Sequence, residues 1–283
     1  MDSSEIAGQS FLTHVFVGLK GNLSRFKASI PEKCPGLDEK TVRMLLDRLH
    51  PGRDAPVSVE TTVFGSDGTP RRCIFGALPL DCSRHNTPAR SNAIHVLMKQ
   101  ISLKTQSFPV CVTLVSDRAD TVQASATAVA RAFPTYNHRS SRAQFGTNEI
   151  TVNVSLVDAA SGSMIDTKEI QTVMTSTRLC AALVDMPTSE LHTDRFVEIA
   201  KEVANEVGAS SSTIISGEEL RDKGFGGHWG VGKASEHLPA FVVLEYLPSG
   251  VSQDSPSTCL AGKGIVYDTG GLSIKVCPKD ECY

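Results

Sequence analysis

Residues 109–117, PVCVTLVSD, constrain this chain more than any other stretch. Seven residues of unbroken small and β-branched apolar character cannot face water on alternate sides. Such a run belongs to a strand covered on both faces, the habit of parallel sheets sandwiched between helices. A parallel sheet in turn demands crossover helices, and the flanking sequence supplies them. Thr87-Pro88 opens a helix whose stripe is Ile94, Leu97, Met98 and Ile101. Ala-rich 119–133 forms the next, stopped by Pro134.

The rest of the first half reads the same way. Residues 14–19, HVFVGL, form a short strand. Val42, Leu45, Leu46 and Leu49 share one helical face after an Asp38 cap. Strands at 57–64 and 71–78 flank SDGTP, a hairpin turn centred on Asp-Gly. Residues 150–157 alternate, as a strand with one covered side does. A helix then runs from about Thr167 to Asp185, with Ile170, Val173, Met174, Thr177, Ala181 and Val184 on one face. A domain boundary is placed near residue 170.

Beyond it, Thr193 opens a helix with Phe196, Ile199, Ala200, Val203 and Val207 inward and Gly208 at its end. A short strand at 212–215, a short helix GEELRDKG and a Gly-rich loop 224–232 follow. Residues 240–247 and 263–268 read as adjacent buried strands, joined through a Ser/Pro-rich surface loop at 248–258.

Composition excludes several classes of function. The net charge of −3 over 283 residues offers no footprint for nucleic acid or anionic membrane. No apolar run of about 18 residues exists, so no membrane helix is expected. The first ten residues lack the pattern of a secretory or transit signal. The eight cysteines are scattered, and several, such as Cys111 and Cys180, sit in apolar runs. They read as reduced, mostly buried thiols of a cytoplasmic protein. Cys277 and Cys282 lack the partners of a zinc site.

Three constellations carry possible chemistry. Gly227–Lys233 fits G-x-x-x-x-G-K, but Ala234 replaces the hydroxyl residue and no strand precedes it. It is expected to be a Gly-rich turn, with His228 and Trp229 as loop residues. The polar runs Ser83-Arg84-His85-Asn86 and 137–142 read as solvated loops or subunit contacts. The third is GKGIVYDTGGLSIK at 262–275. Lys263 and Asp268 bracket a short strand, and a Gly270-Gly271 turn leads to Lys275. A carboxylate at a strand's end before a glycine turn is a common location for ligand chemistry in α/β folds. Taken only as residue types, the same groups suit surface salt bridges.

This run resembles the first metal-site motif of the leucyl aminopeptidase (cytosol aminopeptidase) family, in its probable aminopeptidase-like branch. RLCAALVDMPTSELHTDRF and RDKGFGGHWGVGKASEHLPAFVVLEY resemble the family's segments upstream of that motif. The resemblance implies an N-terminal α/β domain with a mixed sheet, 1–170, then the start of an α/β metallo-aminopeptidase catalytic domain, 171–283. It implies two Mn²⁺ or Zn²⁺ ions that generate a hydroxide and polarise a scissile carbonyl. Substrates would be peptides with a free N-terminus, and the assembly a homo- or hetero-hexamer. Lys263 would be a metal ligand through its neutral amine, and Asp268 would bridge both ions. Lys275 would stabilise the developing oxyanion.

The family continues with further carboxylate ligands and an Arg beside the reacting centre. This sequence instead reads Val276-Cys-Pro-Lys-Asp-Glu-Cys-Tyr283. The expectation is a truncated product with an open, apolar sheet edge, inactive alone. The alternative is a non-catalytic partner that assembles with full-length aminopeptidase.

Overall fold

The computed structural model describes residues 13–66, 68–82, 87–102, 109–136 and 151–266. It divides into two units, Met1–Val184 and Asp185–Tyr283. The division falls at the end of the 168–185 helix, whereas the sequence places it near 170, at the start.

The first unit is built on five strands in the order β2-β3-β1-β4-β5. They are β1 Thr13–Leu19, β2 Val57–Phe64, β3 Pro70–Leu78, β4 Val110–Ser116 and β5 Val152–Asp158. β1 pairs in parallel with both β3 and β4, and β4 in parallel with β5. Only β2 runs antiparallel, on the far side of β3. The sheet is therefore mixed, as expected from one hairpin among crossover units.

Its helices are α1 Lys20–Phe26, α2 Ile30–Lys33, α3 Glu39–Asp47, α4 Ser91–Ser102, α5 Val122–Ala132 and α6 Lys168–Asp185. Strand periodicity sends alternate side chains to two separate cores. Val15, Val17, Ile74, Val112 and Leu114 point into the core closed by α4 and α5, with Ile94, Leu97, Met98 and Val129. Phe16, Cys73, Phe75 and Val115 point the other way, onto Leu23, Phe26, Val42, Leu45 and Leu46 of α1 and α3. Phe16 and Phe75 stack with centroids 5.3 Å apart. The two-sided burial predicted for 109–117 is what the sheet shows.

Local chemistry sets the ends of these elements. Asp38 caps α3 by accepting the Thr41 N–H at 2.6 Å. That bond holds the Asp38 carboxyl below the usual aspartate range. The helix opened by Thr87-Pro88 begins regular winding only at Ser91. Arg90 intervenes at φ +51°, a left-handed conformation rare for a side chain of its size. Its buried guanidinium donates to the carbonyls of Pro79, Leu80 and Pro88 at 2.5, 2.7 and 2.8 Å, and these bonds hold the strained backbone. The helical segments over 20–33 are not signalled by the sequence patterns above.

One expectation about side chains fails. Cys180 is exposed, although its apolar run reads as a buried setting, and Val184, on the shared face of the same helix, is 83% exposed. Along α6 only Ala182 is fully buried, because one face of this helix meets the core through Ile170 and Met174 nearer its start. Cys34 and Cys73, both buried, have their sulfurs in contact with Cα atoms 7.5 Å apart. An ordinary disulfide spans at most about 6.8 Å between Cα atoms, and at 7.5 Å the two sulfurs stand apposed within the core.

The second unit contains α7 Thr193–Val207, β6 Ser211–Ser216, α8 Glu218–Asp222, α9 Gly226–Gly232 and β7 Ala240–Glu245. β6 and β7 pair antiparallel. Gly208 ends α7 at φ +65°, where a residue with a Cβ would be strained.

Gly76 sits in β3 where an added Cβ would overlap Leu97 Cδ2 of α4. Gly76→Ala should cost about 1–3 kcal/mol through overpacking. Leu97→Ala should cost about 2–5 kcal/mol through a cavity. The double variant should lose less than the sum, because each change relieves the other. Urea unfolding of the four proteins measures this coupling, and strict additivity would contradict the packing described.

Candidate metal-binding segment of the second unit

The residues that the resemblance singles out fall at one end of the described chain. Lys263 is exposed and has no regular secondary structure. Asp268 and Lys275 lie outside the described residues, as do Ser83–Asn86, 137–142, Cys277 and Cys282. The expected strand over 263–268 is not formed in its described part: 261–266 make no ladder, and Ile265 is 53% exposed. The physical reason is local. Gly262 and Gly264 weaken extended structure, and a two-stranded sheet gives a third strand little apolar surface to cover. Gly264 does fix where the segment runs. A Cβ there would meet Phe196 Cε1 of α7 at 3.1 Å, so the backbone carrying Lys263 lies against that ring.

The glycine run is also not the turn that was expected. Gly226–Gly232 winds into α9, with the Trp229 N–H donating to Phe225 O at 3.0 Å and the Lys233 N–H to Trp229 O at 2.8 Å. Glycine disfavours helices, so tertiary contacts must hold it. Phe225 stacks on Phe241 at 5.2 Å, His228 meets the same ring edge-on, and the Arg221 guanidinium lies 6.0 Å from the Trp229 ring. N–H groups committed to helical bonds cannot cradle a phosphate, which removes the structural basis of the G-x-x-x-x-G-K pattern.

One cluster of potential ligands was not anticipated. His192, the N-cap of α7, Asp194 in its first turn and His237 before β7 offer ligand atoms all within 4.8 Å of one another. The imidazoles stack at 3.6 Å with 11° between planes. Asp194 Oδ2 lies 2.7 Å from His237 Nδ1. Sequence reading took Thr193 as the start of α7 and had no signal linking His237, 43 residues beyond Asp194. Only the fold brings them together.

A separate cleft of about 230 Å³ lies in the first unit, at the ends of β1 and β4 where connections diverge to opposite sides of β1. Open α/β sheets bind ligands in such crevices. Here both lining arginines are engaged: Arg90 with carbonyls, as above, and Arg118 with Asp120 at 2.6 Å.

Comparison with known proteins accounts for both units. Residues 178–282 match the cytosol aminopeptidase family, catalytic domain, and residues 37–142 match the M17 aminopeptidase N-terminal domain 2. The chain belongs to the cytosol aminopeptidase family. The human protein described as "Probable aminopeptidase NPEPL1" is 41% identical over 203 residues, 70% of this chain and 37% of that relative. Leucine aminopeptidase 1 of Caenorhabditis elegans is 37% identical over 199 residues, 70% of this chain and 38% of that relative. Among solved structures, leucyl aminopeptidase from Leishmania major in complex with actinonin superposes with a TM-score of 0.77 at 28% identity, over 94% of this chain and 50% of its own. An M17 aminopeptidase from Trypanosoma brucei gives 0.75 at 29% identity, over 96% and 52%. The chain thus spans about half the length of these aminopeptidases or less.

The resemblance assigns one carboxylate, Asp268, and one amine, Lys263, to a two-ion centre; of these only Lys263 is among the described residues, and sites of hard divalent cations are built from several carboxylates.

For the glycine run, ATP or GTP at millimolar concentration should leave the melting temperature unchanged. A ligand at 100 times its Kd adds about 2.7 kcal/mol, so real binding would be visible by thermal shift.

Proposed function

We propose that this protein is by family a cytoplasmic metallo-aminopeptidase, of the kind that releases N-terminal residues from peptides, and that residues 1–283 alone are inactive. In this reading Lys263 and Asp268 are ligands of a two-ion centre of Mn²⁺ or Zn²⁺, and Lys275 stabilises the oxyanion. The observation that carries it is the match of 178–282 to the family's catalytic domain, a span that includes the whole GKGIVYDTGGLSIK run. No helix among the described residues is long and apolar enough to cross a membrane, which agrees with action on peptides in solution.

The donor set argues that residues 1–283 do not turn over substrate by themselves. Two divalent ions beside a single assigned carboxylate leave most of their charge uncompensated. Purified protein incubated with Mn²⁺ or Zn²⁺ and a leucine anilide should show no hydrolysis above background, beside an active family member as control. Turnover that Asp268→Ala abolishes would overturn this inactivity and establish the site at once.

A second reading has its own support. Leu260 is 92% exposed and Val231 84%, with Tyr246 and Ile265 also exposed in the second unit. Exposed apolar side chains gathered into one patch are the kind of surface a partner covers. The chain then acts as a non-catalytic subunit that assembles with a full-length aminopeptidase, in a homo- or hetero-hexamer. Co-expression with a tagged full-length relative should recover both chains in one high-mass species. Recovery of the tagged protein alone would contradict it.

A further inference from the structure

We propose that His192, Asp194 and His237 form a binding site for one divalent transition-metal ion of the zinc class. The site shares no residue with the Lys263–Asp268–Lys275 motif and does not rest on the aminopeptidase reading.

Two imidazoles and one carboxylate are the ligand set that zinc, cobalt and nickel favour over magnesium or calcium. Zinc holds nitrogen and oxygen at about 2.0–2.2 Å, so tetrahedral donors stand roughly 3.3 Å apart. Asp194 Oδ2 stands 2.7 Å from His237 Nδ1 and 4.0 Å from His192 Nδ1, values on either side of that spacing. The imidazoles stack at 3.6 Å with 11° between planes, so binding both to one ion requires one ring to turn out of the stack until its nitrogen lone pair points at the ion, a movement open to these part-exposed side chains. His192 has little to give up. Its Nδ1 accepts the Arg195 N–H at 3.5 Å, too long for a strong cap. The nearest cationic side chain of this turn, Arg195, is turned to Glu198 and Glu202 at 3.0 and 3.1 Å. Its charge is therefore compensated away from the site.

The ligands come from two places in the chain. His192 and Asp194 sit on the first turn of α7, and His237 sits on the segment entering β7. An ion would therefore tie the start of α7 to β7 across 43 residues of sequence. Three protein ligands leave one tetrahedral position for water or an external ligand.

The test uses the full chain with Co²⁺ and Zn²⁺ as probes. Cobalt should give the visible d–d absorption of a low-coordinate nitrogen/oxygen site, and zinc should displace it with one equivalent removed. His192→Asn keeps a helix-capping residue while removing the imidazole. His237→Ala and Asp194→Asn remove the other two ligands. Each variant should bind at least tenfold more weakly, and each should lose the zinc-induced rise in melting temperature seen in the wild type. Circular dichroism reports whether a variant folds, and His192→Asn with its cap retained guards against misfolding. Asp268→Ala should leave the cobalt spectrum unchanged, which separates this site from the motif at 262–275. Equal zinc stoichiometry and affinity in the wild type and all three folded variants would overturn the proposal. So would a cobalt spectrum that Asp268→Ala removes.

Discussion

The first unit depends on a central strand pair with no solvent face. β1 lies between β3 and β4 in parallel register, with Val15 opposite both Ile74 and Val112. Val15, Phe16 and Val17 of β1 are committed alternately to the two cores, so a shift by one position would invert both sets of contacts. The crossover helices follow from this. They are the only way to join parallel neighbours and also the only cover for two apolar faces. The glycines at contact points follow too: Gly76 admits Leu97, and Gly18 lies where a Cβ would stand 2.6 Å from Val115 O.

Among its described residues the second unit has no such central strand. β6 and β7 form a two-stranded sheet, and the chain beyond β7 is exposed as far as Ile265. What organises the unit is aromatic and helix-end chemistry: Phe225 and His228 on Phe241, the Gly208 terminus, and the turn of His192 and Asp194 facing His237. The segment bearing Lys263 is located by its closeness to Phe196 rather than by sheet pairing. Placement of the segment bearing Lys263 therefore rests on a few van der Waals contacts, in contrast to the ladder of hydrogen bonds that positions β1.

How legible each part was in the sequence follows the same contrast. The strands of the first unit could be read because burial on two faces writes an unbroken apolar run, and the Asp38 cap because its side chain has a local job. The winding of Gly226–Gly232 could not, since glycine-rich sequence favours a turn and contacts with Arg221, Pro239 and the distant Phe241 hold it as a helix. The strand expected at 263–268 was inferred from Ile265 and Val266, but pattern does not say whether a neighbouring strand exists to pair with. Val184 and Cys180 look apolar in sequence, yet their helix buries little more than one residue fully. The pairing of Asp194 with His237 is invisible in sequence because nothing in either segment refers to the other. The family motif at 262–275 was legible as a motif, while its geometry beyond Val266 lies outside the described residues.

The proposed inactivity of residues 1–283 rests on charge balance at that motif, where Asp268 is the one carboxylate assigned to two divalent ions. Electron paramagnetic resonance of the full chain titrated with Mn²⁺ tests it most directly, because two manganese ions sharing a bridge are exchange-coupled and give a spectrum distinct from isolated ions. The account predicts only uncoupled Mn²⁺ signals at every stoichiometry. An exchange-coupled pair that Asp268→Ala or Lys263→Ala removes would contradict it.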